Sequence, residues 1–412
     1  MTIPADANSP LRRALEEALA ADPEDVAAHA AYADLLMERG GPADAARGEL
    51  VRVHLALEAP ACTPEEHDAL TCRAHDLLGA HQRQWLGRLA GPLLDDRLAD
   101  FRFRRGWLDA LHVRELSLPL APALKRAPEG RLLRELLIDA IAETDDGAEP
   151  GDGIPARARS VGLHPLVGAP FLGNVRRLRL GPDQRDDEYQ DFRCRIHSSV
   201  LVPFVSQLPR LEELYLFANE YDLGALLRLP TLMHLRVLLV YHVAQVHRLQ
   251  LLAERDAFRN LTHLLIHPHD LVEWYVNGDA DEAAGYDREQ GFLPLAVVRP
   301  LLRTRTLPRL AHLRLRCSSL GDEGCEEIVR SGILRRLETL DLRHGCITDE
   351  GARTLADCRD LRRLRWLDLD RNALSVRGIA RIRALGIPAR VEDQQALHDA
   401  ETQRYLYEGE TQ

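Results

Sequence analysis

The residues best suited to chemistry are histidines, arginines and carboxylates, and their spacing decides what that chemistry is. His263, His267 and His269, with His242 and His247 not far upstream, are a candidate metal cluster. His263 and His267 would share one face of a strand, but four residues along a strand span about 13 Å. A zinc ion bonds its ligands at about 2 Å, so the two cannot share one. The segments Gly321-Asp322-Glu323-Gly324 and Thr348-Asp349-Glu350-Gly351 look in isolation like acidic catalytic or calcium loops. Seven cysteines (Cys62, Cys72, Cys194, Cys317, Cys325, Cys346, Cys358) form no Cys-x-x-Cys pair, so their spacing does not suit a metal site. Lys125 is the single lysine and sits in no phosphate-binding loop of the Gly-x-x-x-x-Gly-Lys type. None of the hydrolase, metalloprotease, dinucleotide or kinase signatures is present. A cysteine–histidine nucleophile needs no sequence adjacency, so that one chemistry stays open.

The elements that must position these residues are repeats. Leu310-Ala-His-Leu313-Arg-Leu315, Leu337-Glu-Thr-Leu340-Asp-Leu342 and Leu364-Arg-Trp-Leu367-Asp-Leu369 share one pattern at a spacing of 27 residues. Each is a short strand, a turn and a helix, which cannot bury its own apolar face and must stack on its neighbours. Clear or recognisable copies begin at Leu211, Leu232, Leu261 and Val175, and weaker ones at Leu133 and Trp107. The two acidic segments recur at the start of the helix in each repeat. That position makes them helix caps, where the dipole favours acids. The pattern L-x-x-L-x-L-x-x-[N/C]-x-L resembles the leucine-rich repeats, and the last two copies resemble their ribonuclease-inhibitor-like subclass. The resemblance implies an α/β solenoid: a horseshoe with parallel strands on its concave face, over residues 101–390. Insertions fall near 144–157, 181–198 and 268–306, each after a strand, and a polar tail covers 391–412.

Alternation along each strand would send the x positions to the concave face. Reading them off yields three columns. The first holds Arg177, Glu213, His234, His263, His312, Thr339 and Trp366. The second holds Arg179, Tyr215, Arg236, Leu265, Arg314, Asp341 and Asp368. The third holds Phe217, Leu238, His267, Arg316, Arg343 and Asp370. The expected site is a partner-binding groove of Tyr215, Phe217, His234, Arg236, His263, His267, His312, Arg314, Arg316, Arg343, Trp366 and Asp368. Arginine and aromatic side chains dominate interface hot spots, and arginine pairs with carboxylate or phosphate through two bonds at once. Histidines would make such binding sensitive to pH near neutrality. The doublets Arg176-Arg177, Arg335-Arg336 and Arg362-Arg363 enter successive strands. They are expected to form a solvated stripe, with anion or nucleic-acid binding along it as the alternative.

Residues 1–92 read as helices. Pro10 opens one, Asp22-Pro23-Glu24-Asp25 a second, Gly40-Gly41-Pro42 ends it, and Thr63-Pro64-Glu65-Glu66 starts the last. The run from Tyr32-Ala33-Asp34-Leu35-Leu36 to Gly40, followed by Arg47-Gly48-Glu49-Leu50, resembles the bacterial repeat-companion domain. Leu36 stands where that family has tryptophan, and Gly41 where it has aspartate. The resemblance implies an N-terminal helical cap and no shared activity. A pair of tetratricopeptide-like helices is the alternative.

The 412 residues carry 53 basic and 64 acidic side chains, a formal net charge of −11. An acidic chain is poorly suited to nucleic acid or anionic membrane, which need a basic surface to displace counterions. No signal peptide or membrane span is visible, and the odd cysteine count fits reduced thiols in a bacterial cytoplasm. The expected function is therefore non-catalytic protein–protein interaction without cofactor or metal. An enzyme or effector using the 268–306 insertion or the N-terminal block is the alternative.

Overall fold

The computed structural model describes residues 10–117, 119–142, 162–182, 194–196, 198–217, 221–241, 248–267, 293–316 and 318–395. The expected 144–157 insertion lies outside them, as do 183–193, 197, 268–292, the tail from residue 396, and His242, His247 and His269. The chain divides into two compact units, Met1–Leu178 with Gln207–Arg210, and Arg179–Ser206 with Leu211–Gln412.

The first unit begins with helices α1 (Pro10–Ala21), α2 (Val26–Arg39), α3 (Pro42–Leu57) and α4 (Pro64–Leu86). Local chemistry places their ends. Asp25 accepts the Ala28 N–H at the start of α2, Pro42 takes a first-turn position in α3, and Thr63 with Glu66 closes a capping box on α4. Then come β1 (Ala99–Arg104), β2 (Trp107–Glu115), α5 (Leu120–Arg126) and β3 (Glu135–Ala142), while β4 (Arg177–Leu180) lies at the boundary between units. Strand β1 is antiparallel to β2, and β2 is parallel to β3.

The residues behind the N-terminal resemblance are structural. Tyr32 stacks on Trp107 at 5.3 Å, and both join Leu19 and Leu36 in one core. Buried Arg47 lies over the Trp107 ring at 4.2 Å and donates to the Gly106 carbonyl. A Cβ on Gly48 would sit 2.6 Å from the Ala33 carbonyl oxygen, so glycine allows α2 and α3 to approach. An ion network joins helices to strands: Arg104 bonds Glu24 and Glu58, Arg105 bonds Glu58, and Arg134 bonds Glu24 and Asp109. Burial opposes ionisation of Glu24, but the three arginines hold its carboxyl down at about 2.

The second unit carries β5 (Cys194–Arg195), α6 (Ser198–Val205), β6 (Glu213–Phe217), α7 (Leu223–Leu227), β7 (Val237–Tyr241), α8 (Gln250–Glu254), β8 (His263–His267), β9 (Leu293–Pro294) and α9 (Leu295–Arg303). It continues with β10 (His312–Leu315), β11 (Ser318–Ser319), α10 (Gly321–Ser331), β12 (Thr339–Asp341), α11 (Asp349–Asp357), β13 (Trp366–Asp368), α12 (Val376–Arg383) and β14 (Ala389–Arg390). Strands β6, β7, β8, β10, β12, β13 and β14 pair in that order, all parallel. Leu214, Leu238, Leu264, Leu313, Leu340 and Leu367 fall in one register line and are fully buried. That apolar line is the continuous core that no single repeat can build alone.

One strand departs from the expected frame. His234 ends a 3-10 turn, Pro230–His234, and β7 begins three residues later. The sequence offers two frames, Leu232-x-x-Leu235-x-Val237 and Leu235-x-x-Leu238-x-Val240. The second prevails because proline fits the turn, where its missing N–H costs nothing, and Leu232 is buried there. His234 and Arg236 therefore leave the strand columns, and Val237 and Leu239 take their places.

Two polar devices hold the last repeats together. Asn372, 0% exposed, accepts from the Gly345 and Ile347 N–H groups and donates to the Leu342, Leu369 and Asp370 carbonyls. Asp322 accepts from the Thr348 hydroxyl and from the Thr348 and Gly351 N–H groups, and Asp349 accepts from the Ser375 hydroxyl and N–H. Each acid thus caps the next repeat rather than its own helix.

A candidate interaction face on the parallel strands

The residues alternating with the buried leucines form the opposite face of the sheet in the second unit. Its first column runs Glu213, Val237, His263, His312, Thr339, Trp366, and its second Tyr215, Leu239, Leu265, Arg314, Asp341, Asp368. Phe217 and Leu265 are buried there, with half-buried Tyr215 and Leu239 packed against them. The Tyr215 hydroxyl donates to Glu213 at 2.9 Å.

Next to this apolar patch, the His263 and His312 rings stack at 3.9 Å with 16° between their planes. Burial comes first, then the charges of His312, Arg314 and Arg236, and together they push His263 down to about 4. Burial also lowers His312. Burial therefore favours the neutral form of both rings. The Thr262 hydroxyl lies 3.0 Å from the Arg236 carbonyl and 2.8 Å from His263 Nδ1, which fixes the orientation of the ring. Arg314 is exposed beside the pair, and Trp366 is 39% exposed further along the column.

The expected basic groove is divided in two. His267, Arg316, Arg343 and Asp368 are buried rather than presented to solvent. Arg316 Nε donates to Asp341 Oδ2 at 2.9 Å, Asp341 Oδ1 accepts the Arg343 N–H, and Asp368 Oδ1 accepts the Asp370 N–H. Arg390 pairs with Asp370 at 2.7 Å. These residues form a carboxylate–guanidinium ladder across β12, β13 and β14. His234 and Arg236 are exposed but lie just before β7, and Arg236 pairs with Glu212 at 3.7 Å. Val237 and Leu239 were missed through the frame of β7, and Pro230 was the signal that identifies the true one. The contribution of Arg390 to the ladder carries no repeat signature. Among the described residues, no group of three or more His, Cys, Asp or Glu side chains is placed to hold a metal ion.

Residues 335–356 match the family described as Leucine Rich repeat. This segment of the chain is a leucine-rich repeat. It is similar in structure to a Bacteroides fragilis protein, with 20% identity, TM-score 0.44 and coverage of 67% of this chain and 70% of that one. It is also similar to an internalin from Listeria monocytogenes, with 15% identity, TM-score 0.30 and coverage of 66% and 69%. No curated protein matches the chain. Strands β10, β12 and β13 pair in register at the 27-residue spacing, and the 335–356 match includes the β12 repeat.

Proposed function

We propose that this chain is a non-catalytic interaction protein. It binds a partner protein through the leucine-distal strand face of its second unit, the concave face of a leucine-rich repeat solenoid. The observation that carries the reading is the half-buried pair Tyr215 and Leu239, packed over buried Phe217 and Leu265 and beside the stacked His263–His312 rings. Exposed Arg314 and Trp366 extend it. Aromatic and arginine anchors around a desolvated centre are what concentrate binding energy in interfaces. The chemistry suits an aliphatic or aromatic side chain of the partner, with a carboxylate positioned for Arg314. Arg316, paired with Asp341, borders the face as part of the buried carboxylate ladder.

The N-terminal helices are read as a repeat-companion module whose motif residues build a core. The compartment is read as a bacterial cytoplasm. Among the described residues Cys62, Cys72, Cys325 and Cys358 form no disulfide, and no described helix is long and apolar enough to cross a membrane.

The test is affinity capture with three variants of the full chain. Arg314→Glu with Trp366→Ala, and Tyr215→Ala, are expected to lose the captured partner. A hot-spot truncation costs about 2 kcal/mol, roughly thirtyfold in affinity. Arg377→Glu, on exposed α12, is expected to retain it. Equal recovery by all variants would place the interface elsewhere.

A further inference from the structure

A second feature of the molecule is a pocket of about 440 Å³ in the second unit, formed where α9 and α10 end. That volume lies in the range of small-ligand sites. Five guanidinium groups line it, from Arg303, Arg305, Arg330, Arg335 and Arg336, against one carboxylate, Glu327. Glu327 is 1% exposed and already engaged: Arg303 holds both its oxygens, at 2.5 and 2.7 Å, and Arg330 lies 3.6 Å away. Arg335 pairs outward with Asp360 at 3.2 Å.

Arg305 and Arg336 are different. Among the described residues, neither has an acidic partner. Arg336 is half-buried, and both of its terminal nitrogens donate to the Thr304 carbonyl at 3.2 Å. Its Nε is buried with no hydrogen-bond partner. A carbonyl supplies no charge, so this guanidinium is partly desolvated and electrostatically uncompensated, an arrangement that favours a bound anion. No aromatic side chain lines the pocket, so it offers no platform on which a base could stack. The excess of positive charge is larger than one monovalent anion balances.

We infer that this pocket is a binding site for an oligophosphate group, held by the guanidinium forks of Arg305 and Arg336 with Arg303 and Arg330 at its sides. Guanidinium matches phosphate oxygens with paired bonds and remains charged at any physiological pH. The inference is independent of the strand face.

The experiment is isothermal titration of the full chain with tripolyphosphate, ATP and citrate. Saturable tripolyphosphate binding is expected, with citrate at least tenfold weaker. ATP no tighter than tripolyphosphate identifies a free oligophosphate as ligand, and tighter ATP a nucleotide-borne one. Arg305→Gln and Arg336→Gln are each expected to weaken binding about tenfold or more, the usual scale for a charge-assisted hydrogen bond. The double variant Arg363→Gln with Arg377→Gln removes exposed charge outside the pocket and is expected to bind normally. Arg305 is exposed and has no acidic partner to lose, so Arg305→Gln alone decides the matter if Arg336→Gln fails to fold. Absence of saturable binding, equal affinity for citrate, or equal loss in the control variant would overturn the assignment.

Discussion

Replacing Asp368 by asparagine should stabilise this protein at neutral pH and leave it nearly unchanged in acid. Asp368 is 3% exposed on β13, in register with Asp341 on one side and Arg390 on the other. Its neighbours are served first: Arg316 holds Asp341 at 2.9 Å, and Arg390 holds Asp370 at 2.7 Å. Asp368 has only the Asp370 N–H at 3.0 Å and Arg390 at 4.0 Å. Burial, and then the Asp341 charge, push its carboxyl from the ordinary 3.8 up to about 6. The folded chain therefore holds this proton more tightly than the unfolded chain. Stability from this group is complete below pH 3.8 and is lost as pH rises through about 6. At about 1.4 kcal/mol per unit of pKa, the loss is about 3 kcal/mol. Asparagine keeps the Oδ1 acceptor and the shape but carries no charge. The shift is already net of the attraction to Arg390, so the expected gain at pH 8 is about 2–3 kcal/mol. Urea unfolding of both proteins from pH 3.5 to 8, with amide exchange of residues 339–343 and 366–370 as the local readout, measures it. A difference that does not change with pH, or a less stable variant at pH 8, would refute the argument.

Further outcomes follow from the same geometry. Asn372→Ala removes five hydrogen bonds and strands the Gly345 and Ile347 N–H groups. It should cost about 3 kcal/mol or more and expose the last repeats to amide exchange. Gly351→Ala places a Cβ 2.4 Å from Asp322 Oδ1 and 2.8 Å from Ile347 Cγ2, so it should destabilise by about 1–3 kcal/mol in urea unfolding. Gly79→Ala, with nothing within 4 Å inside helix α4, should instead stabilise by about 0.5–1 kcal/mol in the same assay. His263 is pushed from 6.5 to about 4, so the unfolded chain binds its proton first and stability falls as pH drops from 6.5 to about 4. The group is half-exposed, which reduces the effect to about 1 kcal/mol. His263→Asn should flatten that part of the profile measured by urea unfolding.

Local pattern made much of the fold legible. The 27-residue recurrence of Leu313, Leu340 and Leu367 corresponds to three neighbouring parallel strands in register, because each leucine must fill the same slot in a shared core. Asp25 and Thr63 mark helix starts because capping is a matter of a few consecutive residues. The frame of β7 was ambiguous, since Leu235 serves either pattern, and the 3-10 turn at Pro230 settles it. The candidate face was legible only as a list of alternating positions. Alternation names the side of the sheet on which Arg314 and Arg316 stand, but it carries no information about depth. Arg314 is exposed, whereas Arg316 is covered and paired with Asp341, 25 residues away.

By itself, the sequence determined the repeat, its leucine core and the helix starts, all of which depend on residues close together in the chain. Tertiary structure alone decided the stacking of His263 on His312, the burial of the Asp341–Asp368 ladder, the convergence of arginines on Glu327 and the capping of each repeat by the previous one. The pairs His263–His312, Asp341–Asp368, Arg303–Glu327, Asp322–Thr348 and Asp349–Ser375 join residues 24 or more positions apart. Their energies come from desolvation and close charge pairing, and both exist only once neighbouring repeats have stacked.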